Sequence, residues 1–152
     1  MDFIFFSNAT TLVSLLTNSV INTAISDTST LLLSMFTNIT NDSCLFKATV
    51  NQLDLYNKLL VIDNFINIIP HKYENNKSIS PILNSIHEII IQIYSELSTI
   101  NTIIIQHKNK YFHNYRTPHY KKNINNIILF KSILDTRFDI LLKILNTIHF
   151  LK

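Results

Sequence analysis

The chain has no glycine in its 152 residues. Hairpins with type I′ or II′ turns, phosphate-cradling loops and the turns of α/β crossovers all lean on a residue that enters positive φ at no steric cost. Without it, folds built on those devices are excluded, and long helices joined by Asn, Asp, Ser and Pro turns are favoured. Cysteine occurs once, at Cys44, so no intrachain disulfide can form and a reducing compartment suits the chain. Charge is scarce as well: 15% of residues are charged, with a formal net charge of +3. That balance is compatible with nucleic acid or an acidic partner and demands neither. No apolar run reaches the ~18 residues of a membrane helix. The best candidate, residues 12–39, is broken by Asn18, Asn22 and Asp27. The N-terminal Phe3, Ile4, Phe5 and Phe6 form a short apolar tail behind Asp2, with no basic region, so neither a signal peptide nor a membrane anchor is expected.

What the chain does have is isoleucine (26) and asparagine (19), against three alanines and two arginines. Ile, Asn and Lys have AT-rich codons and Ala, Gly and Arg have GC-rich ones, so composition here reflects an AT-rich genome as much as structural need. Propensity arguments weaken accordingly. Periodicity does not, because a bias in composition creates no period.

The clearest period lies between Ile79 and Tyr111. Ile79, Leu83, Ile86, Ile90, Ile93, Leu97, Ile100 and Ile104 recur at steps of four and three, followed by His107 and Tyr111. This heptad is the signature of helices packed at a shallow angle along their length. Similar seams run through Leu45, Ala48, Gln52, Leu55, Leu59, Ile62, Ile66 and Ile69, and through Ile124, Ile127, Lys131, Leu134, Phe138, Leu141, Leu145 and Ile148. A fainter one passes through Ile21, Ile25, Thr28, Leu32, Met35 and Ile39, with an irregularity expected beside Asn22. Asn41-Asp42-Ser43 reads as a turn and N-cap, and Pro70 as a helix stop. Ser80-Pro81 and Thr117-Pro118 read as helix starts, with a polar N-cap and proline in the first turn. The spacing predicts an all-α, antiparallel up-down-up-down four-helix bundle, one domain over residues 1–152. Its helices fall at 8–38, 43–69, 81–113 and 118–149. The third and fourth are long, about 33 residues or ~50 Å each.

Chemistry is harder to find. His107, His113 and His119 are six apart, whereas a helical metal pair needs i,i+3 or i,i+4 spacing. No Glu is followed by His three residues later, and His87-Glu88 lacks a second His at position 91. The carboxylates are spread one or two per helix, with Arg137 placed to bridge to Glu88 or Glu96. No catalytic residue, metal or cofactor is therefore expected. Residues 106–122 are different: Lys108, Lys110, Arg116, Lys121 and Lys122 interleave with Tyr111, Tyr115 and Tyr120. Cations between aromatic planes suit phosphates and bases, which makes these eight residues the candidate anion or partner site. The alternative is a hairpin tip whose aromatics cover the end of the core. His107 and Lys131 occupy otherwise apolar seams near that end. They read as a polar layer, or as a fraying end whose side chains reach out to solvent.

Lys110-Tyr-Phe112, Arg116-Thr-Pro118 and Leu134-Asp-Thr-Arg-Phe-Asp139, set among Ile-rich heptads, resemble small all-helical proteins of large AT-rich DNA viruses. The likeness is one of texture over residues 45–150 and carries no functional residues across. It implies a viral accessory or virion-associated protein, inside the infected cell or in the virion. Ile82, Ile89, Ile103 and Ile105, and Ile128, Ile133, Ile140 and Ile144, widen the apolar surface beyond the seams. The expected function is non-enzymatic: a bundle that binds a protein partner or a second copy of itself. The alternative is nucleic-acid or other anion binding through residues 106–122. Membrane association is not expected.

Overall fold

The structure, a computed structural model, describes residues 18–42, 46, 53–69, 76–110 and 117–150. Among the described residues every regular element is helical and there is no strand. The helices are α1 (Asn18–Asp42), α2 (Leu55–Ile68), α3 (Ser80–Lys108) and α4 (Lys121–Phe150). The main packing pairs are α3 with α4, α1 with α3, and α1 with α2. α2 meets α4 through the edge-on rings of Phe65 and Phe138, whose centroids are 5.3 Å apart. One hydrophobic core takes residues from all four helices, as in a bundle.

The apolar period determines which residues enter that core. On α3 all eight seam residues from Ile79 to Ile104 are buried. Ile89 joins them, contrary to the expectation that it widens the outer surface. α3 packs against both α1 and α4, so it buries a broader arc than a two-helix seam. On α4 the buried residues are Ile124, Ile127, Leu134, Phe138 and Leu141, and on α2 they are Leu55, Leu59, Ile62 and Ile66. Leu45, Ala48 and Gln52 lie outside the described residues, as do Cys44 and the tail from Phe3 to Phe6. On α1 the expected stripe slips by one residue twice: Ser29 and Phe36 are buried, while Thr28 and Met35 are half-buried. The irregularity expected beside Asn22 is absent from the assignment, which runs unbroken from Asn18 to Asp42.

Helix ends depart further from expectation. The first helix was expected to stop at residue 38, with Asn41-Asp42 in a turn; α1 instead continues through both. Residues 8–17 lie outside the described part. The second helix, expected over 43–69, does not run through residue 54. Asp54 has φ 49°, in the left-handed region that breaks a right-handed helix, and Asp is among the residues that tolerate it. The Asn57 amide donates to Asp54 Oδ1 at 2.6 Å, and Asp54 O accepts from the Lys58 N–H, so the kink feeds directly into α2. At the other end Ile69 is extended (φ −57°, ψ 120°), as the residue before Pro70 should be.

Ser80 is not the N-cap of α3; that position falls to Ile79, which makes no side-chain cap. The turn before it is closed by Asn76, whose side-chain oxygen accepts from the Ser78 N–H at 2.9 Å and whose carbonyl accepts from Ile79 and Ser80. Ser80 is the first helical residue, with Pro81 in the first turn. α3 ends at Lys108 rather than residue 113. There the bonding tightens, with the Lys110 N–H donating to His107 O three residues back. Residues 111–116 lie outside the described part. α4 begins at Lys121, three residues after Pro118, and runs to Phe150. α3 and α4 therefore have 29 and 30 residues.

Ile90 is fully buried and its neighbour Ile91 is 46% exposed, so the pair isolates packing from helix propensity. Ile90→Ala should cost about 2–5 kcal/mol and Ile91→Ala well under 1 kcal/mol. Urea unfolding of the two variants checks this, and equal losses would mean that α3 is not seated as described.

Candidate functional site

Where α3 ends and α4 has yet to begin, the chain leaves a hollow of about 540 Å³. The last turns of α3 supply Ile103, Gln106, His107 and Lys110 to its wall, and the approach to α4 supplies Thr117, Pro118 and His119. Lys108, Lys110, Lys121 and Lys122 are exposed around this end, and among the described residues neither Asp nor Glu lines the hollow. His107 is half-buried. Its Nε2 is closed to solvent and has no hydrogen-bond partner among the described residues. An unpaired buried polar group of this kind costs roughly 1–3 kcal/mol. In native structures such a group asks for an explanation, often a water or ion at the site.

Part of the candidate set expected from sequence lies here. Lys110 lines the hollow, with Lys108, Lys121 and Lys122 nearby in the chain. Tyr111, Tyr115 and Arg116 lie outside the described residues. Tyr120 belongs to the core: its ring meets Phe46 edge-on at 6.2 Å, and Phe46 stacks on Phe36 at 6.3 Å. It caps the end of the bundle instead of offering a free stacking face. His119, Thr117, Gln106 and Ile103 were not singled out as site residues. Only His119 gave any signal in the sequence, as one of the evenly spaced histidines.

His107 and Lys131 do not form one polar layer. Ile104 and Ile124 are both buried, so the core reaches the tip without fraying. Lys131 turns to Asp135, one turn on in α4, at 2.6 Å, and Lys58 of α2 reaches the same carboxylate at 3.1 Å. Lys58 also sits 4.8 Å from the centroid of the Phe138 ring. Burial pushes the Asp135 carboxyl up, but hydrogen bonds and charge from Lys131 and Lys58 outweigh it and hold the group below its ordinary value of 3.8. This cluster ties α2 to α4.

Other polar side chains are absorbed by helix packing. Arg137 does not bridge to Glu88 or Glu96; its guanidinium donates to the Ser85 backbone carbonyl. Glu96 accepts from Asn123 at 2.7 Å and from Asn126 at 2.8 Å. Between α1 and α3, Thr28 donates to Ala24 O, leaving its oxygen 3.3 Å from His87 Nε2. Among the described residues no three His, Cys, Asp or Glu side chains gather to hold a metal ion. No helix among them is long and apolar enough to cross a membrane. Comparison with protein-family models, curated proteins and solved structures found no match.

The Asp135 cluster sets an acid dependence. Folding favours the carboxylate, so its stabilisation is complete above 3.8 and is lost as pH falls through the lower folded value. Asp135→Asn should therefore lower stability at neutral pH by about 0.5–1 kcal/mol, the range of a partly exposed ion pair. The difference from wild type should vanish at strongly acid pH. Urea midpoints measured across the acid range check both halves; a deficit that persists in acid would assign the loss to packing.

Proposed function

We propose that this chain is a non-enzymatic helical-bundle protein that joins a protein partner or a second copy of itself through the outer face of α2. The observation that carries the reading is that α2 carries large apolar side chains on its outer side too, set among the exposed Asn57, Asn64 and Asn67. Its inner stripe fills the core, while Tyr56, Leu60, Val61 and Ile68 are exposed, Ile68 at 75%. An apolar patch left on a surface marks a contact. The resemblance to small helical proteins of AT-rich DNA viruses supports a viral accessory or virion-associated role inside the infected cell.

The same proposal takes the bundle as up-down-up-down. Glu96 meets Asn123 and Asn126 while Ser85 meets Arg137, the order expected of antiparallel α3 and α4. Contacts of Lys58 with Asp135 and of Phe65 with Phe138 support placing α2 beside α4 in that arrangement.

A second reading, anion or nucleic-acid binding at the α3–α4 tip, is favoured by one specific observation: the hollow lined by His107, Lys110 and His119 with lysines around it.

Sedimentation at rising micromolar concentration tests the first reading. The wild-type mass should increase, and Leu60→Glu combined with Ile68→Glu should return it to monomer with helix content unchanged. A wild-type monomer whose α2, carrying a photocrosslinker at position 64, captures no protein in its native cell overturns it.

A further inference from the structure

We infer that the outer face of α2 receives a second copy of this chain, seated antiparallel about a two-fold axis at Asn64. The inference rests on the function proposed above and names which of its two partners the face fits.

The first support is charge. Every side chain exposed between Leu55 and Ile68 is uncharged. The two charged residues of α2 are half-buried and engaged elsewhere: Lys58 meets Asp135 at 3.1 Å, and Asp63 accepts from the Asn67 amide at 3.4 Å. Such a face holds nothing that selects an acidic or a basic partner. Against an identical face it meets no like charge.

The second support is spacing. Leu60 and Ile68 lie four residues either side of Asn64, and all three are exposed. Residues four apart share a helix face and form one ridge. With the helices antiparallel, a two-fold axis at Asn64 sets Leu60 of each copy against Ile68 of the other. The patch is then its own complement, as an isologous interface requires.

The third support is the amide at the centre. Asn57 donates to Asp54 at 2.6 Å and Asn67 to Asp63, each within or beside its own helix. Among the described residues Asn64 makes no such bond. A carboxamide carries both donors and an acceptor, so on a two-fold axis it pairs with its own copy in both directions. One polar residue inside an apolar contact also fixes register.

Direction follows from charge at the helix start. Parallel pairing gathers the two exposed Asp54 carboxylates at one end and aligns the helix dipoles; antiparallel pairing separates both. The face is ~18 Å long and about one helix wide, ~10 Å. That is short of the ~800 Å² per partner of a standard stable complex, so the pairing is weak and depends on concentration.

Sedimentation of the full chain across the micromolar range tests this. The wild type should show a monomer–dimer equilibrium. Asn64→Asp and Asn64→Lys should each weaken it about tenfold by setting like charges together, and an equal mixture of the two should recover it. Leu60→Glu mixed with Ile68→Lys should associate, whereas Leu60→Glu mixed with Leu60→Lys should not. Unchanged helix content by circular dichroism keeps these effects apart from unfolding. Charges at position 64 that leave the dimer intact, or whose mixture stays monomeric, overturn the axis; association of the two Leu60 variants overturns the antiparallel order. A monomeric wild type overturns the inference as a whole. Capture of a different protein by the photocrosslinker at position 64 then leaves the α2 reading standing, and no capture overturns both.

Discussion

The bundle depends on one stripe of side chains. Ile79 to Ile104 of α3 spans about 38 Å at 1.5 Å per residue, and every seam position along it is buried. α1 and α4 both pack on this helix, and α2 is held in turn by α1 and by the Phe65–Phe138 contact. Six of the eight seam residues are isoleucine. A β-branched side chain has essentially one χ1 rotamer in a helix, so it loses little freedom when buried and its position is set by the backbone. The same branching lowers helix propensity slightly, which matters little where helical stability comes from packing. Isoleucine is thus well suited to a stiff wall.

Apolar seams alone would let long helices slide past one another. What pins α3 to α4 lies beside the seam: Glu96 held by two asparagine amides, and the Arg137 guanidinium on the Ser85 carbonyl. These groups face a neighbouring helix and find donors or acceptors there, so partial burial leaves them satisfied. The Lys58–Asp135–Lys131 cluster does the same between α2 and α4. Asparagine is used here as a neutral donor that satisfies a carboxylate without adding charge.

This division explains what could be read in advance. Seam membership follows from a period, and the described seam positions of α2, α3 and α4 are buried or half-buried as the spacing requires, Lys131 included. On α1 the period was right and the register wrong by one at Thr28 and Met35, where Ser29 and Phe36 are buried instead. The break at Asp54 was invisible, since the heptad continues across it and nothing in the residue type demands positive φ. Ser80-Pro81 looked like a cap by composition, yet the turn that satisfies the backbone is made by Asn76, whose role depends on the path of the preceding loop. Tyr120 failed for a different reason: an aromatic that covers a core and one that stacks a base look identical in sequence, and only its contact with Phe46 separates them. Positive charge at 108–122 was legible. The hollow was not, because it arises from how 117–119 passes the last turns of α3.

The physical contrast between the middle of α3 and its end bears on where chemistry can reside. Along the middle, inward positions of α3 are apolar, and the flanking Glu96 carboxylate and Ser85 carbonyl are met by side chains of α4. At the end, α3 tightens at Asn109 and Lys110, where the Lys110 N–H turns to His107 O, and α4 starts only at Lys121. The interval cannot be closed by a compact glycine turn, because the chain has no glycine. On the approach to α4, Thr117 and His119 line one hollow with His107 and Lys110. At the tip, by contrast, exposed donors, positive charge and an apolar wall meet in one hollow among the described residues.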